Sequence, residues 1–164
     1  MNLTIEKYTI KNRISLMKLI DEFQDYLISI DDFKRLVKKS GFCTKYFANI
    51  IKISKLNNGV IYLAKDNNGL AIGYVVGIIK KENVVESLLH KNQEKIGRVI
   101  DLFVSENYRG QKVGYKLLNY IEKYFKTKKC DLIRIEVYAP NKKAHEFYKK
   151  CGYLNESIDV VKFI

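Results

Sequence analysis

The stretch VIDLFVSENYRGQKVGYKLL, residues 99–118, carries the clearest structural signal in this chain. It begins inside an apolar run, residues 95–104, that predicts a β-strand. A polar segment containing Gly110 and Gly114 follows, and apolar residues then recur at the spacing of a helix. Those apolar positions are Val113, Leu117, Leu118, Ile121 and Phe125. The stretch therefore predicts a strand, a tight turn and an amphipathic helix.

The turn at residues 109–114 has the chemistry of an anion-binding site. The first amides of a helix lack acceptors within the helix, and the helix dipole places roughly half a positive charge there. Gly110 and Gly114 let the backbone approach a ligand closely, and Arg109 and Lys112 add positive charge. A plain strand-to-helix turn would look similar. A Walker loop and a Rossmann fingerprint are both excluded, because neither glycine spacing is present.

A second informative stretch is NKKAHEFYKKCGY, residues 141–153. Read as a helix, it places Ala144, Phe147, Tyr148 and Cys151 on one stripe and lysines on the other faces. The preceding DLIRIEVY, residues 131–138, predicts a strand. Strand–helix–strand–helix order after an antiparallel hairpin favours a mixed α/β sheet.

The upstream half predicts a first strand, a helical block and a β-hairpin joined at DNNG. Gly73 and Gly77 inside the second hairpin strand predict bulges or close backbone approach. Residues 81–94 predict a polar loop, and LNESIDVVKFI predicts one or two closing strands. The predicted ranges are a strand at 3–10, helices at 16–30, 31–39 (stopped at Gly41) and 44–56, and hairpin strands at 60–65 and 70–80.

The composition indicates a single globular domain over residues 1–164. Its 164 residues are 47% hydrophobic and 29% charged, which is enough apolar material for one core. No run approaches the roughly 18–20 apolar residues of a membrane span, and MNLTIEKYTIKNR lacks the apolar core of a secretory signal. Cys43, Cys130 and Cys151 fit neither a disulfide framework nor a zinc ligand set. We therefore expect a cytoplasmic protein with reduced thiols and no metal.

The formal net charge of +12 raises the alternative of a nucleic-acid-binding protein. Tyrosines do mingle with lysines in the second half of the chain. They fall on several helix faces, however, and no RNA-binding signature appears. These tyrosines are Tyr108, Tyr115, Tyr120 and Tyr124. We expect neither nucleic acid nor membrane as a partner.

RGQKVG followed by NKKAHEFYKKCGY resembles the Gcn5-related N-acetyltransferase (GNAT) superfamily. The family's loop is usually written R/Q-x-x-G-x-G/A, and Lys112 stands here at its middle glycine. The later helix often reads N-x-x-A-x-x-F/L-Y-x-x-x-G-F/Y. That pattern is met at Asn141, Ala144, Phe147, Tyr148, Gly152 and Tyr153. The resemblance covers residues 69–153 well.

The resemblance implies a mixed α+β fold whose central sheet is mostly antiparallel and flanked by helices. Two parallel strands, 98–104 and 132–138, would splay apart and hold acetyl-CoA between them. The pantetheine arm would pair with backbone groups of Leu102, Phe103 and Val104. The pyrophosphate would lie on the loop, and Asn141 near the far end of the cofactor. The implied loop contacts are Arg109, Gly110, Gln111, Lys112, Val113, Gly114 and Tyr115.

The resemblance also implies an N-acetyltransferase that moves the acetyl group of acetyl-CoA to a primary amine of a small molecule or protein. Transfer would be direct, within a ternary complex. Tyr148 matches the family tyrosine whose hydroxyl faces the thioester sulfur. A phenol with a pKa near 10 stays protonated at neutral pH and can protonate a thiolate of about 8.5. The alternative is a core tyrosine bonded to a backbone partner.

Two carboxylates are candidates for the general base that makes the attacking amine neutral. Glu136 lies twelve residues before Tyr148, a spacing shared with ribosomal-protein N-terminal acetyltransferases. Asp101 lies on the other splayed strand, where polyamine acetyltransferases carry acidic residues. Either one could instead be a solvent-facing strand residue.

Two further alternatives follow from these patterns. The chain could keep the fold and the cofactor site without turnover, as an acyl-CoA-binding module. Its apolar end IDVVKFI could form an edge strand covered by a second subunit, which would make a homodimer. The resemblance also implies that the acceptor contacts residues 16–56 and 81–94, where the family carries its specificity elements.

Overall fold

A computed structural model describes residues 3–81, 88 and 94–163 of the chain. Five strands form one sheet in chain order, and every neighbouring pair is antiparallel except the last, which is parallel. This confirms the predicted mixed, mostly antiparallel sheet. The strands are β1 (Thr4–Lys7), β2 (Val60–Lys65), β3 (Ala71–Lys81), β4 (Lys95–Val104) and β5 (Leu132–Ile135).

Helices cover both faces of the sheet and divide the core in two. The first helices, α1 (Arg13–Ser29) and α2 (Phe42–Leu56), pack on one face, and α3 (Val113–Thr127) and α4 (Lys142–Lys150) on the other. Short 3-10 turns, Ile10–Asn12 and Glu106–Tyr108, precede α1 and α3. Among the described residues, no helix is long and apolar enough to cross a membrane.

Glycines in the sheet bring α3 close to the strands. A Cβ at Gly77 would lie 2.6 Å from Ile121 Cδ1, and one at Gly97 would lie 2.5 Å from the ring of Phe125. A Cβ at Gly73 would lie 2.7 Å from the carbonyl oxygen of Phe103 on β4 and 3.3 Å from Leu117 Cδ1 on α3. The predicted close approach at Gly73 and Gly77 is thus confirmed. It seats the large side chains of α3 against the sheet and holds the start of α3 beside the end of β4.

A β-bulge in β4 changes which side chains face each core. Val76 is opposite Asp101 while Gly77 is opposite Val99, so Ile100 is the extra residue. Without it, Val99 and Asp101 would face the same side, because strand side chains alternate. Instead, Val99 packs with α3, and the Asp101 carboxylate lies with the tyrosines of the α1–α2 side. The bulge therefore buries an acid in the second core.

The predicted helix at residues 31–39 is wrong. The Asp31 carboxylate accepts hydrogen bonds from the amides of Phe33, Arg35 and Leu36, at 3.1, 2.6 and 2.7 Å. Lys34 has a φ of 53°, which no α-helix contains. An aspartate that bonds the amides following it competes with helix formation. Gly41 then begins α2 as its N-cap and ends no helix.

The closing strands predicted from LNESIDVVKFI are also absent, because residues 154–163 form no strand. Side-chain contacts hold this segment to the rest of the protein. Arg134 on β5 makes two hydrogen bonds to Glu156, at 2.7 and 2.6 Å, and Phe163 packs edge-on against Phe33. The strands predicted at 3–10 and 131–138 shorten to β1 and β5. The predicted loop at 81–94 falls mostly outside the described residues.

Candidate active site

A cleft opens where β4 and β5 part. Their parallel ladder ends at the pair Val99–Ile135, and β4 continues for five more residues that pair with β3 but, within the described chain, have no strand on the β5 side. Leu102 turns its side chain to the α3 core and Phe103 to the α1–α2 core. Only backbone groups of this part of β4 are therefore left to face β5, as a strand-like ligand would require.

The loop after β4 ends in a helix start whose amides are available. Gly110 has a φ of 76°, and α3 begins at Val113 without a side-chain cap. No described residue accepts a hydrogen bond from the amides of Val113, Gly114 or Tyr115. Gln111 is used within the loop, where its side chain donates to the Asn107 carbonyl at 3.0 Å. Free amides together with the helix dipole suit a phosphate.

Lys112 occupies the left-handed region, with a φ of 63°. This is the position at which the family usually carries glycine, and left-handed backbone strains any residue with a Cβ. We expect Lys112→Gly to be more stable than Lys112→Ala by about 1 kcal/mol. Urea unfolding of the two variants measures this, because both lose the same ammonium group. Equal stability would show that residue 112 is not left-handed in solution.

Arg109 lies across the mouth of the cleft. Its Nε donates to the carbonyl of Val104 at 3.0 Å, and its guanidinium lies 4.3 Å from the ring centroid of Tyr26. The Tyr26 hydroxyl donates in turn to Asn141 Oδ1 at 3.1 Å. Asn141 also caps α4 by accepting from the Ala144 amide at 3.2 Å. Tyr26 thus links the two predicted cofactor contacts, and no local motif marked it because its partners are remote in sequence.

Tyr148 lies on the buried stripe of α4, with 7% of its surface exposed. Its ring packs edge-on between Phe147 and Tyr153, at centroid distances of 5.2 and 5.8 Å. No described residue shares a hydrogen bond with its hydroxyl. Burial, and then the negative charge of Asp101, raise the pKa of Tyr148 above its usual value. The phenol therefore stays protonated at neutral pH and is free to donate.

Asp101 is a buried acid, 5% exposed, held by two phenols. Its Oδ1 accepts from the Tyr46 hydroxyl at 2.9 Å and its Oδ2 from the Tyr74 hydroxyl at 3.1 Å. Burial raises the pKa of Asp101 to about 6, and the two hydrogen bonds oppose that rise. No cation of the described chain forms an ion pair with it. A carboxyl that titrates near neutral pH is suited to accept a proton.

Glu136, the other candidate base, lies in a different setting. Its side chain is 81% exposed, and Oε2 accepts from Arg98 Nη2 at 2.6 Å. The structure therefore groups Asp101, and not Glu136, with buried partners. Within the described ranges, no group of three histidine, cysteine, aspartate or glutamate side chains gathers as a metal ligand set.

Two solved structures share this architecture. A Bacillus halodurans protein, solved as a tetramutant, matches with a TM-score of 0.83 and 18% identity over 98% of this chain and 99% of its own. AAC(6')-Iy, solved with the bisubstrate analog CoA-S-monomethyl-acetylneamine, matches with a TM-score of 0.70 and 13% identity over 100% and 98%. At these identities the likeness concerns the fold.

Sequence comparison adds the family. The chain is 29% identical over 80 residues to glucosamine 6-phosphate N-acetyltransferase of Arabidopsis thaliana, covering 49% of this chain and 52% of that one. It is 27% identical over 159 residues to an uncharacterised N-acetyltransferase of Methanocaldococcus jannaschii, covering 96% and 65%. The chain thus spans between about half and two thirds of these relatives' lengths. The sequence profile of the acetyltransferase (GNAT) family matches residues 20–153, and the chain belongs to that family.

Proposed function

We propose that this protein transfers the acetyl group of acetyl-CoA to a primary amine, with Asp101 as general base and Tyr148 as general acid. One observation carries the proposal. A carboxyl with a pKa of about 6 and a phenol with no described hydrogen-bond partner lie buried close enough for their charges to interact. An amine that must lose a proton and a thiolate that must gain one call for such a pair.

The cofactor would lie in the cleft between β4 and β5. The Leu102 backbone and the Val104 amide have no strand partner on the β5 side, which supports binding of the pantetheine arm as an added strand, whereas the Val104 carbonyl already accepts from Arg109. The free amides at Val113, Gly114 and Tyr115 support binding of the pyrophosphate. Acetyl-CoA supplies an acetyl carbon already bonded to a good leaving group.

Asp101 makes the acceptor reactive. An alkyl ammonium with a pKa of about 10.4 is overwhelmingly charged at neutral pH and has no lone pair to attack with. Asp101 is mostly ionised above its pKa of about 6 and can take that proton. The nitrogen then bonds to the acetyl carbon.

Tyr148 completes the transfer at the other end. As the carbon–sulfur bond breaks, its hydroxyl proton passes to the sulfur, and the second proton of the nitrogen restores the phenol. Its raised pKa makes donation to a solvated thiolate unfavourable. A thiolate formed in the same buried cleft is desolvated as well, which raises its own pKa and reduces the difference.

The acceptor class also belongs to this proposal. The plant relative is named for the amine of an amino-sugar phosphate, and AAC(6')-Iy was solved with an acetylneamine derivative. Both names describe amines on small, polar molecules. We therefore propose a small polyfunctional amine as the first class of acceptor to screen.

Calorimetric titration with acetyl-CoA tests the cofactor site. We expect Gly114→Asp to weaken binding at least about tenfold, because a carboxylate at the start of α3 repels the pyrophosphate. A Cβ at Gly114 would clash with nothing, since its nearest neighbour would be Phe147 at 3.6 Å. Asn119→Asp, with the same charge change farther along α3, should bind like the wild type. A wild type that does not bind acetyl-CoA would overturn the proposed function.

A further inference from the structure

We propose that the Tyr46 hydroxyl carries the proton of the acceptor amine to Asp101, which makes Tyr46 a catalytic residue. The inference rests on the proposed function and deepens it by naming the proton path. Tyr46 lies on α2, and neither motif of the sequence pointed to it. The tertiary structure alone brings it to the carboxylate, across 55 positions of the chain.

The need for a relay follows from the burial of Asp101. The carboxylate lies in the interior, and each of its oxygens already accepts from a tyrosine. Each carboxylate oxygen could accept a second hydrogen bond, so it is the burial of Asp101, with 5% of its surface exposed, that keeps an amine arriving from solvent from touching the acid directly. A proton passed along an existing hydrogen bond requires no such contact.

Exposure decides which tyrosine can serve. Tyr74 lies on β3 and is 0% exposed, so a substrate cannot reach it. Tyr46 is partly exposed, and its ring stacks on that of Phe42 at a centroid distance of 5.3 Å. A phenol oxygen that donates one bond still has lone pairs to accept with. No described residue donates to the Tyr46 oxygen, which leaves it free to accept from an ammonium group.

The proton transfer balances without a further reactant. A nitrogen–hydrogen bond of the ammonium breaks as the Tyr46 oxygen gains that proton. The original Tyr46 proton moves at the same time to Oδ1 of Asp101. The amine becomes neutral and the carboxylate becomes a carboxyl, while the phenol ends as it began. Burial and the charge of Asp101 raise the pKa of Tyr46, which keeps the relay group in its protonated form.

The charged and titratable groups around Asp101 come from three elements. Tyr46 faces it from α2, Tyr74 from β3 and Tyr148 from α4. Cys43 on α2 interacts with Tyr74. All four are neutral at pH 7, so Asp101 is the group in this cluster that titrates near neutral pH.

Tyr46→Phe and Tyr74→Phe form a matched pair that separates a relay from structural support. Each variant removes one hydrogen bond that lowers the pKa of Asp101, so the acid limb of kcat/KM should move to higher pH in both. At about pH 8.5, above both limbs, Tyr74→Phe should approach the wild type while Tyr46→Phe stays about 100-fold lower. Titration of the amine itself is common to all three proteins and cancels in the ratios.

Equal activities of the two variants at high pH would overturn the relay. The 13C chemical shift of the Asp101 carboxyl, followed against pH by NMR, reports its titration without any turnover. The midpoint of this titration should lie at a higher pH in both variants than in the wild type, which also verifies that both variants fold. If the wild type is active and the two variants are equally active at high pH, the relay is overturned and the proposed function stands. A wild type that acetylates no amine overturns the proposed function, and the relay with it.

Discussion

Tyr148→Phe is expected to lower kcat by about 100-fold or more, because the departing thiolate loses its proton donor. Binding of acetyl-CoA should change little, since the ring that packs against Phe147 and Tyr153 is kept. Steady-state kinetics at saturating acetyl-CoA measure the loss, and calorimetry measures the binding. The kcat of Tyr148→Phe should lie below that of the wild type at every pH where the wild type is active.

Stability separates this role from a structural one. The Tyr148 hydroxyl has no described partner, so its removal should leave the free energy of unfolding unchanged within about 0.5 kcal/mol. Tyr153→Phe is the matched control, because it removes a phenol hydroxyl that donates to Glu122 at 2.9 Å. That variant should lose stability and keep kcat within about twofold. An active but destabilised Tyr148→Phe would identify Tyr148 as a core residue only.

Asp101→Asn is expected to reduce kcat/KM at pH 7.5 by about 100-fold or more and to remove the acid limb near pH 6. An amide cannot accept the proton of the amine, and no other described group with a pKa near 6 lies beside Tyr46 and Tyr74. The pH profiles of the two proteins test this directly. Glu136→Gln should leave both the rate and the profile nearly unchanged, because Glu136 is exposed. If Glu136→Gln abolished activity and Asp101→Asn did not, Glu136 would be the base.

The same substitution should stabilise the protein at neutral pH. The pKa of Asp101 is about 6 in the folded state, against about 3.9 for an unperturbed aspartate. Between these values the folded protein binds more protons than the unfolded chain, so this group makes stability rise as the pH falls from 7 to 4. At a pH above both values, the raised pKa of Asp101 lowers the free energy of unfolding of the wild type by about 3 kcal/mol. Urea unfolding at pH 7 and pH 5 should show Asp101→Asn more stable than the wild type at pH 7, with much of the difference gone at pH 5.

Local patterns predicted most of the fold and the turn at residues 109–114 that leads into α3. The apolar run of β4 and the helical spacing of α3 are readable without knowing what covers them. The helix spacing of Tyr148 likewise placed it on a buried stripe. The prediction failed at residues 31–39, where helical spacing is present but the Asp31 carboxylate binds the amides that a helix would use.

The sequence alone left Asp101 and Glu136 equivalent, as two acids on neighbouring strands. Their chemistry diverges because a pKa depends on burial and on partners distant in the chain. The extra residue Ile100 turns Asp101 toward the phenols of α2 and β3, while Glu136 meets Arg98 in solvent. No repeating pattern encodes a single bulge or a contact across 55 residues. The strands and helices are thus local properties of this sequence, whereas the buried acid and its tyrosine partners exist only in the folded protein.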